Sequence, residues 1–226
     1  MSSKGNNRHV KRLAVGIYPR IERKTATYLI KPRPGRHGLE SSVALLALVR
    51  DKLGLASRAK EARGMIEGGK IEVNGSVVRD EKYPVGFGDI VTLKPTGEAY
   101  SIGVGRNGGI RLDKAEKKGE RTLKVIGKYV ARGKRTMVRL FDGSAVESAE
   151  GVSVNDSVVL SKGKIAKTIK FEQGAKCLVI RGTHASESGT ISEIVKGSAL
   201  RDATVRVEGA GGRFETTVEN VMVVGA

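Results

Sequence analysis

Residues 41–93 read SSVALLALVRDKLGLASRAKEARGMIEGGKIEVNGSVVRDEKYPVGFGDIVTL. Val43, Leu46, Val49 and Leu53 recur at steps of three and four, which is one apolar face of a helix, and Ser41 or Ser42 is the expected N-cap. Gly54 ends that helix. Ser57 is expected to cap a second one, with Ala59, Ala62 and Ile66 as its buried stripe and Gly68-Gly69 as its stop. Ile71 and Val73 then alternate with Lys70, Glu72 and Asn74, which is strand periodicity. Asn74-Gly75 is a strong hairpin signal, and Gly86-Phe87-Gly88-Asp89 is a second turn leading into Ile90–Leu93. Two short helices followed by a small turn-rich β unit are therefore expected.

Several residues of this stretch carry a resemblance: Ser57-Arg58, Glu61-Ala62, Ile66, Gly69, Ile71, Val73-Asn74-Gly75 and Gly88-Asp89. Their order and spacing resemble the S4 RNA-binding module. The local chemistry agrees with that. Arg58, Lys60 and Arg63 sit around a helix start, where unpaired N–H groups and guanidinium forks suit a phosphate strand.

Outside the module, charge does most of the talking. The 226 residues carry a formal net charge of +17, which calls for a polyanionic partner, and 39% hydrophobic residues are enough to bury a core. The charge is uneven: +8 over residues 1–40, +1 over 41–93, +9 over 94–170 and −1 over 171–226. The first and third segments thus supply nearly all the attraction for a polyanion. The last segment cannot bind RNA mainly by charge. Cys177 is the only cysteine, so no disulfide forms within the chain, and it lies in an apolar strand as a small hydrophobe. No apolar run approaches a membrane span, and the N-terminus lacks the apolar segment of a secretory signal; a cytoplasmic protein without a membrane partner is expected.

Residues 1–40 read as an extended basic arm that orders on binding, closing with Lys31-Pro32-Arg33-Pro34-Gly35-Arg36-His37. Tyr18 and Tyr28 suit either base stacking or packing on the module. Residues 94–170 read as an all-β domain, with strands around 123–126, 137–141, 157–160 and 165–169 and a tight turn at Asp142-Gly143. Lys128, Arg132, Lys134, Arg135 and Arg139 cluster around one loop as a phosphate patch, and Lys162, Lys164 and Lys170 would share a face of a regular strand. Gly103–Gly108 matches G-x-G-x-x-G, but residues 109–120 offer no apolar helix face, so a turn is expected and not a dinucleotide site. Residues 171–226 hold five short strands, which suits a small SH3-like barrel. Within it, Gly182 to Gly189 followed by alternating apolar residues resembles the KOW motif. No metal or cofactor is expected: His9, His37 and His184 are scattered and a single cysteine cannot build a zinc ribbon.

An S4 module, a basic β domain and a KOW-like barrel in this order resemble the ribosomal protein S4e family of archaea and eukaryotes. Further carriers are Lys11-Arg12-Leu13, Arg23-Lys24, Pro34-Gly35 with His37, Arg50-Asp51, Tyr83-Pro84 with Gly86 and Asp89, Asp142-Gly143, Asp156, Phe171 with Gly174, and Phe214 with Asn220-Val221. The chain departs from the family in lacking tryptophan, in having Arg36 where a proline is usual, and in having Ser186-Glu187 where the family tends to Gly-Arg. The resemblance implies an α+β multidomain, non-catalytic protein that binds small-subunit rRNA beside neighbouring ribosomal proteins, with no small-molecule substrate. The RNA contacts expected from the placement of the basic side chains are Lys11, Arg12, Arg20, Arg23, Lys24, Lys31, Arg33, Arg36 and His37 in the arm, Arg50, Arg58, Lys60 and Arg63 in the module, and Lys128, Arg132, Lys134 and Arg135 in the central domain. Two alternatives stay open: an RNA-modifying enzyme that uses the module as a handle, and a KOW-type factor that visits the ribosome transiently. For the barrel loop, RNA contact, protein contact and a peripheral position all stay open.

Overall fold

A computed structural model describes residues 10–16, 18–115, 120–148, 151–161, 163–198, 201–209 and 211–225; His9 and Lys162 lie outside them. The chain divides into two units, the first running to residue 103 with 109–117, the second comprising 104–108 and the chain from 118 onwards.

The first unit is an α+β module whose sheet runs past residue 93. Its strand order is Ser76–Val77, Ile71–Val73, Ile90–Leu93, Ala99–Val104, Ile110–Ala115. The expected boundary between 93 and 94 therefore moves: the hairpin holding G-x-G-x-x-G continues the module's sheet. Its turn is a short 3₁₀ segment, Arg106–Gly108, with Asn107 in a left-handed conformation. Asn74 and Gly75 both have positive φ, 54° and 80°, so their turn is of the primed type that matches strand twist.

Helix entry is where local propensity loses. Ser42–Ala44 is not a helix start but a strand, paired antiparallel with Pro84–Gly86. The helix begins at Leu45, and Leu45 and Leu46 donate their N–H groups to the carbonyls of Tyr83 and Glu81 at 2.9 and 3.0 Å. Those carbonyls do the work expected of a serine cap. Leu45–Ala47 passes directly into a π-helical turn, Leu48–Lys52, and Val43 through Val49 are all buried. At the second helix, Ala59–Glu67, the N-cap is Arg58 and not Ser57, and the Glu61 carboxylate accepts the N–H groups of both.

Residues 10–40 are not a free extended arm. Val10–Lys11 pairs with Tyr28–Leu29, and Tyr18, Ile21, Leu29 and Ile30 pack against the module's core. Tyr18 thus takes the packing role, and Ile110 donates its N–H to the Tyr18 carbonyl at 2.8 Å.

The second unit holds two antiparallel five-stranded sheets. One has the order Ala145–Glu147, Thr136–Leu140, Arg121–Val130, Ser157–Ser161, Lys164–Ile169, over a core that includes Leu123, Val125, Val138, Leu140 and Val158. The other has the order Gly212–Thr217, Thr204–Gly209, Ser188–Val195, Lys176–Val179, Val221–Val223, and Cys177 lies in its core as expected. Lys124 ties the two together. Its ammonium donates to the carbonyls of Val218 and Glu219 at 2.5 and 3.2 Å, and burial, partly opposed by Glu219, pushes its pKa down to about 8. Lys170 does not join a lysine face, because it binds the Gly151 carbonyl and Asp156.

Candidate nucleic-acid interface

The cations expected to touch RNA fall into two groups once their partners are known. Arg12 is 3% exposed. Its guanidinium donates to the Glu22 carbonyl and the Thr25 hydroxyl at 2.7 Å each and to Asp51 at 2.9 Å. Arg50 grips the same Asp51 with two bonds of 2.8 Å. Burial opposes the charged Asp51 carboxyl, but Arg50 and Arg12 outweigh it and hold it below the usual carboxylate range. Arg12 is thus structural, which corrects its reading as an RNA contact, whereas Arg50 is paired with Asp51 and partly exposed.

The same correction applies to His37, 5% exposed, whose Nε2 donates to Asp89 at 2.8 Å. Asp89 also accepts from Asn74 Nδ2 at 2.7 Å and Gly86 N–H at 3.0 Å. Burial would raise the pKa of Asp89, yet His37, Asn74 and Gly86 together lower it. The imidazole fits because residue 86 has no side chain: a Cβ there would stand 2.5 Å from His37 Nδ1. In the same way a Cβ at Gly35 would strike Pro84 at 2.7 Å, so the Pro-rich segment docks closely on the module.

Arg33 and Arg63 are exposed but paired with Asp80 and Glu81 at 3.0 and 2.7 Å. Lys31 is half-buried. Lys11, Arg20, Arg23, Lys24, Arg36, Arg58 and Lys60 are exposed. The buried pairs explain how three of these are presented. Arg12 holds the loop at Glu22 and Thr25, and Lys52 donates to the Arg20 carbonyl at 2.6 Å, so the 20–25 loop is pinned over the π-helical turn with Arg20, Arg23 and Lys24 outward.

In the second unit Lys128, Arg132, Lys134 and Arg135 are all exposed, and none forms an ion pair with a described residue. They occupy a hairpin that outruns its sheet. The strand Arg121–Val130 pairs with Ser157–Ser161 through Lys124, and beyond Val125 its ladder partner among the described residues is Thr136–Leu140. A register shift between Val125 and Gly127 re-aims the projecting part.

The C-terminal sheet handles its arginines differently. Arg206 lies between Glu193 and Glu215, and Arg213 pairs with Glu208 at 2.7 Å. In the loop at 182–188, His184 is not simply exposed: it stacks on Phe214 with centroids 4.3 Å apart and lies 3.3 Å from Glu187.

A small α/β module carrying outward cations, followed by antiparallel β structure, defines an S4-type RNA-binding class of protein. A family model described as the S4 domain matches residues 45–91. Small ribosomal subunit protein eS4 of Archaeoglobus fulgidus is 36% identical over 222 residues, covering 96% of this chain and 93% of that one. The eS4 of Natronomonas pharaonis is 37% identical over 224 residues, covering 96% and 94%. The crystal structure of the 30S ribosomal protein S4e from Thermoplasma acidophilum superposes with a TM-score of 0.69 at 30% identity, over 82% of this chain and 96% of that one. The chain belongs to the eS4 family of small ribosomal subunit proteins. With that membership the reading as an RNA-modifying enzyme falls away.

Proposed function

We propose that this chain is a structural component of the cytoplasmic small ribosomal subunit that holds small-subunit rRNA by its phosphates. The loop cations Arg20, Arg23 and Lys24, together with Arg58 and Lys60, serve the first unit, and Lys128, Arg132, Lys134 and Arg135 serve the second. The observation that carries the reading is the projecting hairpin, whose four cations meet no carboxylate among the described residues. Exposed cations without an acidic neighbour are open to a phosphate strand, and phosphate contacts position a protein on RNA without reading its sequence. RNA helices hide their base edges in a deep groove, so shape and backbone recognition fit this family role. The C-terminal sheet, read as the KOW-like element, neutralises its arginines internally and faces neighbouring proteins or solvent.

The test is a binding titration of the full chain on transcribed small-subunit rRNA across salt concentrations. With roughly 6–10 phosphate contacts, affinity falls by about 10³–10⁵ between 50 and 200 mM salt. A flat salt dependence would sink the proposal.

A further inference from the structure

The projecting hairpin also presents an aromatic ring that the charge pattern does not explain. Tyr129 is 46% exposed and stands opposite Met137 in the ladder. Residues directly opposite in an antiparallel pair share a face, as do residues two apart in one strand. Val138, one step along, is fully buried and faces the core, so Tyr129 and Met137 lie on the outer face. Gly127 and Ala131 flank Tyr129 along its own strand, and a Cβ at Gly127 would meet nothing within 4 Å, so the space beside the ring is open. Across the ladder, Arg139 and Arg135 stand two residues either side of Met137, and both are exposed. Ala131 donates its N–H to the Arg135 carbonyl at 2.8 Å, which holds that end of the hairpin together. On this face Glu147 lies opposite Met137 on the third strand, at the margin of the patch.

From this arrangement we infer that Tyr129 is a stacking platform for an unpaired base of small-subunit rRNA, with Arg135 and Arg139 holding the phosphates on either side. The inference rests on the reading of the hairpin as an rRNA contact. A tyrosine placed for stability would not be left half-exposed on the outer strand of this three-stranded ribbon, where it adds little to the core. An exposed ring framed by guanidinium groups and open space is the arrangement that base stacking needs, since every base offers a flat apolar face while its phosphates need cations. A protein occupant would find a strongly cationic rim with Glu147 at its margin, which favours the polyanion.

The chain has no tryptophan, so Tyr129→Trp introduces a unique fluorophore at the site. Its emission should be quenched when transcribed small-subunit rRNA saturates the full chain. Tyr129→Ala should weaken binding about tenfold while leaving the salt slope unchanged, because no phosphate contact is lost, and Tyr129→Phe should bind like the parent. Unchanged tryptophan emission at saturation, or Tyr129→Ala within twofold of the parent, overturns the inference. A photo-crosslinking residue at position 129 that joins a ribosomal protein and not rRNA in assembled subunits also overturns it. The combined alanine variant of Lys128, Arg132, Lys134 and Arg135 separates the layers. If it loses salt slope while Tyr129→Ala binds normally, only the stacking role fails. If it binds with parental affinity and slope, the phosphate reading of the hairpin fails, and the stacking role with it.

Discussion

The segment from Lys11 to His37 and the hairpin from Lys128 to Arg135 are built from the same kinds of residue, yet their cations do different jobs. In the first, Arg12 and His37 are buried against Asp51 and Asp89, and Arg33 is taken by Asp80. In the second, no carboxylate of a described residue comes within reach and all four cations face outward. Both segments are rich in positive charge, so net charge does not separate them. What separates them is the source of the partner. Asp51, Asp80 and Asp89 lie 39, 47 and 52 positions further along the chain than the cations they meet, brought in by the fold. A buried cation locks the arm to the module, and an exposed one stays open to the phosphate contact proposed above. The arm does both, because the locked Arg12 fixes the loop that displays Arg20, Arg23 and Lys24.

The sharpest way to break this contrast is Asp51→Ala. It strands Arg12, whose side chain is 4% exposed, and should cost about 4 kcal/mol in denaturant unfolding. If stability changes by less than ~1 kcal/mol, the buried pair is not what fastens the arm. The alanine variant of the four hairpin cations should do the reverse, leaving unfolding within ~0.5 kcal/mol and reducing rRNA affinity on the order of a hundredfold at moderate salt. Gly86→Ala drives a methyl group into the His37 ring and should destabilise by ~2 kcal/mol. A second change, His37→Ala, should recover part of that loss if the ring is the obstacle.

The smallest effect in neutral buffer concerns Lys124, which lies outside both regions and tests whether a buried cation held by backbone carbonyls behaves as a cost. Its folded pKa of about 8 lies below the 10.5 of an unperturbed lysine. Between those values the unfolded chain binds more protons than the folded one, so stability should rise with pH from about 8 to about 10.5, by up to ~3 kcal/mol. Lys124→Met should stay within ~1 kcal/mol of the parent at pH 7 and lose that rise, as read from unfolding curves at pH 7 and pH 10. For Asp89 the sign is opposite. Its carboxyl is held below the ordinary range, so its contribution is present above pH ~4 and is lost as pH falls through the folded value.

Much of the β architecture is legible in the chain because strand and hairpin signals are local. Alternation locates the five strands of the C-terminal sheet, and Asn74-Gly75 marks a turn that needs two positive φ angles. The helix entry is not legible in the same way. A serine cap is a local preference of about 1 kcal/mol, whereas pairing with Pro84–Gly86 and the carbonyls of Glu81 and Tyr83 is a distant and cooperative alternative. The boundary at 93 moves for a related reason: a strand pattern says that a strand forms, not which sheet receives it. Tyr129 carries no sequence signal of its own, because an aromatic in an apolar strand reads as core, and only the end of pairing with Ser157–Ser161 reveals that its stretch projects.

The order of residues alone was enough to establish strands, turns, the S4 pattern and the excess of positive charge, since each is written in neighbours a few positions apart. Which cations remain available to RNA was settled only on folding. The availability of a charge depends on the water and carboxylates around it, and those are supplied by segments far away in the chain.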